Sequence, residues 1–386
     1  MKLLHTSDWH IGRTLEKNSL EDAHALYFDH LVEIVQEHNI DALLVSGDVY
    51  DRALPSAESI AVLDSVLRRL VPLTKVIITS GNHDSAQRLG FNGHFTELAG
   101  LHYRTTIEGI ARPVLLEKDG ETIAVYGIPY LEPATSLAAV MELCGTTEKP
   151  ESATHQSVLK IVLDFIREHA QHNGYANTVI MSHAWFAGAA GSESERTIAV
   201  GGLENVPLDY LDGFTYAALG HIHKPHDLRP HVHYSGSPIK FSFSEINQTK
   251  VSLLVDIADG LNSVTKIETP VFREMVHLEG TLEDLLTNEA HEPYTGHWVR
   301  AKLTMNELPA HAMDNLRQRF PFILKLELPQ VGTEVGKLQN VHEMSPEDFC
   351  CGFLDFARGE TRPVTDWERE QIHAAAAAVS VAEVAQ

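Results

Sequence analysis

Five short polar clusters carry the residue types that bind divalent metal ions. They supply carboxylate, amide and imidazole groups, the ligands of hard and borderline cations. In chain order they are Asp8-Trp9-His10, Gly47-Asp48-Val49-Tyr50-Asp51, Gly81-Asn82-His83-Asp84, His183 and Gly220-His221-Ile222-His223. Each cluster alone is weak, because a lone histidine is usually structural and Asn and Asp also form turns. The ordered set, each member following an apolar run, predicts a two-metal phosphoester hydrolase.

The spacing within the clusters suits a centre of two metal ions. Two ions about 3.5–4 Å apart can share one carboxylate, activate a bridging water and neutralise phosphoryl oxygens. Asp48, on a short turn, fits the shared carboxylate. Asp8 and His10 lie two residues apart, so an extended turn can direct both to one ion. His221 and His223 have the same spacing and can be divided between the two ions.

The cluster at residues 81–84 is expected to hold both a ligand and a catalytic group. Asn82 offers a neutral carbonyl oxygen to an ion. His83, next to that ligand, is better placed over the substrate, where an imidazole can protonate the leaving oxygen or stabilise developing charge. Asp84 is expected to orient His83 and to hold it charged.

Strands that end at these clusters must position them. Apolar runs predict strands at residues 2–6, 42–45, 75–79, 179–182 and 216–219. Helical spacing of apolar residues predicts helices at 20–38, 60–70 and 158–169, and Ser19 and Asp22 have the spacing of a capping box. The alternation predicts an α/β layer structure with its site at the carboxyl ends of the strands.

The remainder of the chain is expected to form smaller units. Residues 271–330 contain strand and helix patterns of a compact α+β unit, with Thr281 capping a short helix, and residues 331–344 form a linker. Residues 345–378 predict two short helices whose apolar faces need a partner surface or fold back on their own domain. The segment 379–386 is an Ala-rich tail. The Gly- and Ser-rich segment 184–202 is either a flexible surface loop or a loop over the substrate.

The composition limits the function classes. At 386 residues the chain is long enough for two domains and an appendage. Its net charge of −23 argues against gripping DNA by bulk charge, so the substrate is small, the basic surface is local, or a partner supplies it. The cysteines, Cys144, Cys350 and Cys351, show no CxxC spacing, which fits a cytoplasmic protein. No signal peptide and no membrane span are predicted.

The clusters and their flanking residues resemble those of the calcineurin-like metallophosphoesterases. Within that superfamily they resemble the nuclease-subunit family of the bacterial SbcCD complexes, over about residues 1–330 and more loosely in the C-terminal helices. The resemblance rests on Leu4-His5-Thr6-Ser7-Asp8-Trp9-His10-Ile11-Gly12, Gly47 to Asp51, Gly81 to Ser85, Ala218 to His223 and Tyr234-Ser235-Gly236-Ser237-Pro238. It implies a sandwich of two mixed sheets flanked by helices at 1–270, a capping domain at 271–330 and C-terminal helices.

The resemblance also implies a ligand set. One ion would be held by Asp8, His10, Asp48 and His223, and the other by Asp48, Asn82, His183 and His221. His83 would be the catalytic histidine with Asp84 beside it. Some relatives carry a histidine where this chain has Asp51. Manganese is the implied metal, whereas the ligand types alone also allow iron and zinc.

The implied activity is DNA cleavage in repair, recombination and replication. Members of the family are ATP-dependent double-strand exonucleases and single-strand endonucleases that process hairpins and blocked ends. The ATPase is an SbcC-type coiled-coil partner, clasped here by helices at 346–357 and 366–376, and two copies of the nuclease subunit pair as a dimer. The chain itself has no G-x-x-x-x-G-K-[ST] motif. The alternatives are a small-molecule or nucleotide phosphodiesterase and a scaffold without activity.

Overall fold

The structure is a computed structural model that describes residues 1–189, 191, 194, 205–305, 309–328, 350–354 and 364–373. The strands of these residues are β1 Lys2–Thr6, β2 Thr14–Leu15, β3 Asn18–Ser19, β4 Ala42–Ser46, β5 Lys75–Thr79, β6 Leu101–Arg104, β7 Val114–Lys118, β8 Glu121–Ile128, β9 Asn177–His183, β10 Tyr216–Gly220, β11 His226–Arg229, β12 Val232–Tyr234, β13 Val251–Ile257, β14 Leu261–Glu268, β15 Met275–Gly280, β16 Trp298–Leu303 and β17 Ile323–Glu327. The α-helices are α1 Glu21–His38, α2 Ala57–Leu70, α3 Ala86–Leu89, α4 Gly93–Thr96, α5 Pro133–Cys144, α6 His155–His172, α7 Leu282–Thr287 and α8 Ala312–Arg319. Within the described part of the chain, no helix has the length and apolar character to cross a membrane.

Two six-stranded sheets form the body of the chain. The first has the order β14-β13-β1-β4-β5-β6, and the second has the order β11-β12-β10-β9-β8-β7. Strands β1, β4, β5 and β6 run parallel, as do β8, β9, β10 and β12. Antiparallel pairs complete one edge of the first sheet and both edges of the second. The predicted fold class, an α/β sandwich of two mixed sheets flanked by helices, is therefore confirmed.

Successive side chains of the central strands point to opposite faces of each sheet, and this alternation separates the inner core from the outer helix layers. Leu3 and Leu44 belong to the apolar core between the sheets, together with Met181 of the second sheet. Their neighbours Leu4 and Leu43 face the other way, into the cluster that includes the buried faces of α1 and α2. Helices α5 and α6 cover the outer face of the second sheet in the same manner. Both faces of the central strands are thus buried, which explains their continuous apolar runs.

The strands and helices predicted next to the clusters are present, with one local error. The N-cap of α1 is Leu20, and no side chain caps the helix. The Ser19 hydroxyl instead accepts a hydrogen bond of 3.1 Å from the Glu21 N–H, because Ser19 already lies in the short hairpin strand β3. The predicted capping box of Ser19 and Asp22 is therefore wrong.

A third sheet, β15-β16-β17, carries α7 and α8. Residues 1–302 and 311–327 form one compact unit, and Met275 and Trp298 pack in the same apolar cluster as α1. Within the predicted α+β unit at 271–330, the first strand is β15, which begins at Met275. Thr281 caps α7 as predicted, by accepting a hydrogen bond from the Asp284 N–H.

Residues 303–310 and 328–386 form the second unit. Its described residues include helical segments at 350–354 and 366–373, inside the ranges predicted for the two C-terminal helices. The predicted linker at 331–344 and the tail at 379–386 lie outside the described residues. So does most of the second half of the predicted 184–202 loop.

Candidate metal centre

The five clusters meet where the two sheets approach each other at the carboxyl ends of their central strands. Asp8, Asp48 and the 82–84 cluster follow β1, β4 and β5 of the first sheet, while His183 and His221 lie at the ends of β9 and β10 of the second. Close packing at this edge, within the first sheet and between the two sheets, needs glycine. A Cβ atom on Gly220 would lie 1.9 Å from the Ser46 carbonyl oxygen, and one on Gly81 would lie 2.1 Å from Asp48 Oδ1.

Several of the predicted ligands have left-handed backbone conformations. The φ angles are 52° at Asp8, 45° at His10, 50° at Asp48 and 99° at His221. Such angles are uncommon for residues with a side chain and cost free energy, which contacts with the surrounding structure must offset. Their concentration at one edge of the sandwich marks it as a functional site.

The first group of predicted ligands contains Asp8, His10 and His223, whose ligand atoms all lie within 4.8 Å of one another. The Nε2 atoms of His10 and His223 face each other at 3.1 Å, and Asp48 Oδ2 lies 3.5 Å from His10 Nε2. On the opposite side of each ring, His10 Nδ1 is 3.5 Å from Asp51 Oδ1, and His223 Nδ1 is 2.6 Å from the Ser194 hydroxyl. Both rings therefore direct Nε2 toward a common point.

The second group contains His183, His221, Asn82 and Asp48. His183 Nδ1 donates to the Ser46 carbonyl at 2.9 Å, so its Nε2 faces the other members of the group. That Nε2 lies 3.0 Å from Asn82 Oδ1 and 3.3 Å from Asp48 Oδ2. His221 Nδ1 lies 3.2 Å from the same amide oxygen, and among the described residues its buried Nε2 has no hydrogen-bond partner. Asp48 Oδ2 thus lies near both groups, 3.5 Å from His10 Nε2 and 3.3 Å from His183 Nε2.

The buried imidazoles suit metal ions because most of them are neutral. Burial lowers the pKa of His10 to about 4, and burial together with the nearby His183 lowers that of His221 to about 3. Burial and the neighbouring His10 likewise hold the pKa of His223 well below its ordinary value. Their ring lone pairs are available at neutral pH without loss of a proton, which favours metal binding.

The carboxylates of Asp8 and Asp48 place negative charge in the interior. Burial raises the pKa of Asp8 to about 7, an effect that His183 opposes. Burial also acts to raise the pKa of Asp48, but His183 and other nearby imidazoles hold it well below the ordinary value. Asp48 in turn overcomes the effect of burial on His183 and raises its pKa to about 9. Two carboxyl groups buried close together are stabilised in their charged form by a positive charge. A divalent cation bound between them would supply that charge.

His83 lies within the centre, but its partner differs from the one expected. Its Nδ1 donates to the Asp51 carbonyl at 2.8 Å, and its backbone N–H donates to Asp48 Oδ1 at 2.8 Å. The Asp84 carboxylate accepts hydrogen bonds from the N–H groups of Val49, Tyr50 and Gly81. The expectation that Asp84 orients His83 is therefore corrected: Asp84 joins the turn after β4 to the turn after β5, and Asp51 orients the imidazole.

Other residues around the centre had no assigned role in the sequence interpretation. The Ser7 hydroxyl donates to Asp8 Oδ2 at 2.5 Å and contacts Ser235 Oγ at 2.8 Å. The Ser194 hydroxyl forms hydrogen bonds with both Glu245 and His223 Nδ1, and so links the two side chains. Ser235 belongs to the Tyr234 to Pro238 motif of the family resemblance, so the sequence marked its position. No motif in the sequence marked Glu245.

Comparisons with known proteins identify two regions of the chain. Residues 1–225 match the family described as calcineurin-like phosphoesterases, and residues 271–356 match the family described as the type 5 capsule protein repressor C-terminal domain, SbcD_C. A curated relative, the D subunit of the SbcCD nuclease of Staphylococcus saprophyticus, is 28% identical over 332 residues, which cover 84% of each chain.

Two solved structures show a weaker likeness. A dimetal phosphatase from Danio rerio has a TM-score of 0.38 at 10% identity, covering 70% of this chain and 99% of that chain. A protein of Thermus thermophilus also has a TM-score of 0.38, at 13% identity, covering 69% of this chain and 98% of that chain.

Proposed function

The chain belongs to the calcineurin-like phosphoesterases, and from this premise we propose that it is the nuclease subunit of an SbcCD-type complex, hydrolysing DNA phosphodiesters. The observation that carries the hydrolytic function is the 3.1 Å approach of His10 Nε2 to His223 Nε2, with the Asp48 carboxylate 3.5 Å from His10. Two imidazole nitrogens converge there beside a buried carboxylate. Support for DNA as substrate comes from the relative named as part of a nuclease and from the match at residues 271–356.

We propose that seven side chains bind two divalent ions. Asp8, His10, Asp48 and His223 are assigned to one ion, and Asp48, Asn82, His183 and His221 to the other. Manganese is the proposed metal, since carboxylate, amide and imidazole ligands suit it, although they also suit iron and zinc. Two such ions would neutralise the phosphoryl oxygens and lower the pKa of the water molecule that attacks phosphorus.

Main-chain N–H groups hold the two buried carboxylates in place. The His83 N–H fixes one oxygen of Asp48, and the His221 N–H fixes the Asp8 carboxylate, at 3.1 Å from both oxygens. These main-chain contacts need no reorganisation during the reaction, which lowers the barrier. His83 is the proposed general acid: because its Nδ1–H is held by the Asp51 carbonyl, the protonated ring presents a second proton on Nε2 to the leaving oxygen.

We propose that a local basic surface guides the DNA despite the net charge of −23. Three exposed cations lie close in sequence to site residues. They are Arg52, four residues after Asp48, Arg88, five residues after His83, and Lys224, directly after His223. Cations in these positions can neutralise phosphates that flank the scissile bond. The remaining DNA surface is assigned to the ATPase partner.

The second unit is proposed to bind an SbcC-type coiled-coil ATPase. Two large apolar side chains on its helical segments are exposed, Phe353 by 55% and Trp367 by 67%. Exposed aromatic residues on short helices are typical of segments that dock into an apolar groove. The match of residues 271–356 to the SbcD_C family supports the same assignment.

A homodimer is proposed from exposed apolar side chains on two segments of the first unit. The exposed side chains of this surface belong to residues 54–60 and 91–98, and they are Leu54, Ile60, Phe91, Phe95 and Leu98. Exposure reaches 75% at Phe95 and 90% at Leu98. A patch of this kind on a monomer marks an interaction site, and two copies would form a heterotetramer with two ATPase partners.

We also propose a cytoplasmic location, where a DNA substrate is accessible.

One assay tests the function against its alternative. The purified chain with manganese is offered hairpin DNA, blocked-end DNA and bis-p-nitrophenyl phosphate, with and without an SbcC-type ATPase and ATP. We expect cleavage of the small diester by the chain alone and of DNA ends with the partner. Hydrolysis of the small diester without DNA cleavage under any of these conditions would support a small-molecule or nucleotide phosphodiesterase instead.

A further inference from the structure

We propose that Ser194 and Glu245 are positioning residues that fix the tautomer of His223 and so its affinity for metal. This proposal rests on the proposed function, in which His223 is a ligand. It concerns a buried set of four side chains that reaches away from the two ions: His223, Ser194, Glu245 and Lys250. All four are at most 7% exposed.

The hydrogen bonds within this set have one consistent direction. Glu245 Oε2 is 2.6 Å from the ammonium nitrogen of Lys250, so Glu245 is a carboxylate and can only accept. The Ser194 hydroxyl therefore donates its single proton to Glu245 Oε1. Ser194 Oγ, 2.6 Å from His223 Nδ1, must then accept from that nitrogen. The proton of His223 is held on Nδ1.

The consequence for the centre is a lone pair on Nε2 of His223. That atom faces Nε2 of His10 at 3.1 Å, which is the point where the first ion is proposed to bind. In the other tautomer Nε2 would carry a proton and could not bind a metal. A hydrogen bond to the distal nitrogen of a ligating histidine commonly sets the tautomer and the ring orientation in this way.

The ion pair also holds the main chain of the same residue. Lys250 Nζ donates to the His223 carbonyl at 2.8 Å and to Ser237 Oγ at 3.0 Å. The pair of Glu245 and Lys250 therefore reaches His223 by two routes, one to the ring through Ser194 and one to the backbone. Because desolvation makes a buried ion pair a weak source of stability, its placement here indicates a role in shaping the centre.

Manganese binding to the intact chain tests the role of the hydroxyl. Ser194→Ala removes the acceptor for His223 Nδ1–H and leaves the ion pair in place, while Ser194→Thr keeps a hydroxyl. Ser244→Ala is the matched control, because Ser244 is exposed and next to Glu245. Manganese affinity and stoichiometry are measured by titration calorimetry without DNA, and melting temperatures check folding.

We expect Ser194→Ala to weaken one of two manganese sites by about 10- to 100-fold, and Ser194→Thr and Ser244→Ala to bind like the wild type. Hydrolysis of bis-p-nitrophenyl phosphate by Ser194→Ala should be low at limiting manganese and return at excess manganese. A folded Ser194→Ala chain with wild-type affinity at both sites would overturn the proposal. So would a Ser194→Thr chain as weak as Ser194→Ala.

A second variant tests Glu245 without leaving a buried charge unpaired. The double change Glu245→Gln with Lys250→Met removes both charges, and the glutamine amide can donate to Ser194, which frees the hydroxyl proton for His223 Nδ1. We expect the same loss at one manganese site in a chain that melts cooperatively. Two unchanged sites in the double variant would contradict the role of Glu245. Two manganese sites in the wild type without DNA cleavage would count against the proposed substrate and leave the positioning role intact.

Discussion

The ring Nδ1–H of His183 donates a 2.9 Å hydrogen bond to the main-chain carbonyl of Ser46. Ser46 ends a strand of the first sheet and His183 ends a strand of the second, so this bond joins the two sheets at the proposed metal centre. It also decides which nitrogen of His183 faces Asp48. Cohesion of the sandwich at this edge and the geometry of the centre therefore depend on the same contact.

Removal of metal should lower the stability of the wild-type chain. The buried carboxylates of Asp8 and Asp48 need a positive neighbour, and ligand binding to the folded state stabilises it by mass action. We expect dialysis against a chelator to lower the melting temperature, and manganese to restore it. Asp48→Asn, which removes the proposed shared ligand, should melt at the same temperature with and without manganese. A manganese-dependent rise in that variant equal to the wild-type rise would refute the shared role.

His83→Ala should retain two manganese ions and lose cleavage. The loss of a general acid is expected to lower kcat by about 10²- to 10⁴-fold, because no group then protonates the leaving oxygen. Hydrolysis and manganese stoichiometry are measured on the same preparation, with His172→Ala, an exposed histidine at the end of a helix, as the control. Near wild-type cleavage by the His83 variant would show that the assignment is wrong.

Deletion of residues 345–386 should separate the partner from the hydrolase. The proposed docking segment lies in this range, while the centre lies wholly in residues 1–302. We expect the truncated chain to hydrolyse bis-p-nitrophenyl phosphate at the wild-type rate and to lose co-purification with an SbcC-type ATPase. Undiminished co-purification would place the partner surface elsewhere on the chain.

A charge in the apolar surface should disrupt the proposed homodimer. Phe95→Glu together with Leu98→Glu introduces two carboxylates at positions that are already exposed in the single chain, so folding should be unaffected. Light scattering of the purified chain is expected to report a dimer for the wild type and a monomer for the double variant. Leu73→Glu, at an exposed apolar position of another segment, serves as the control. A wild type that is monomeric at micromolar concentration would exclude this interface.

Buried His5 should make the wild-type chain sensitive to mild acid. Burial, and to a smaller extent His233, lowers the pKa of His5 to about 3, so the folded chain keeps this ring neutral while the unfolded chain protonates it near pH 6.5. Between these values the unfolded state binds more protons, and the free energy of unfolding falls as the pH is lowered.

The comparison is made with His5→Gln, which can keep a hydrogen bond to the Tyr216 hydroxyl, 3.0 Å from His5 Nδ1. At pH 5.5 the protonation of His5 in the unfolded state should cost the wild type about 1.4 kcal/mol relative to pH 7.5. Urea unfolding at both pH values should therefore show a smaller loss for the variant. Equal losses in the two chains would show that His5 does not titrate differently on folding.

Several features of the fold and the centre could be predicted because they depend on neighbours in the sequence. A strand buried on both faces produces an apolar run, and the residue after it lies at the sheet edge, so the positions of Asp8, Asp48 and His183 at strand ends followed from local pattern. The spacing of His221 and His223 likewise predicted that both would reach the centre. The capping box at Ser19 failed because the short hairpin, which local spacing does not reveal, already used that residue.

The roles of individual side chains were decided by contacts between distant segments. Asp84 is adjacent to His83 in sequence, yet its carboxylate turns to the backbone of Val49 and Tyr50, and the Asp51 carbonyl holds the imidazole. Adjacent residues can point in different directions, so sequence proximity did not determine the partner.

The sequence alone determined the class of chemistry and the architecture, because ligand types and strand patterns are properties of short segments. The tertiary structure alone decided which nitrogen of each histidine faces the centre, since that choice depends on hydrogen bonds from elsewhere in the chain. Ser46 sets the orientation of the His183 ring, and Ser194 with Glu245 sets the proposed tautomer of His223. The pair of Glu245 and Lys250 could not be recognised from the sequence, because it lies more than 20 residues from His223 and contacts it only in the folded chain.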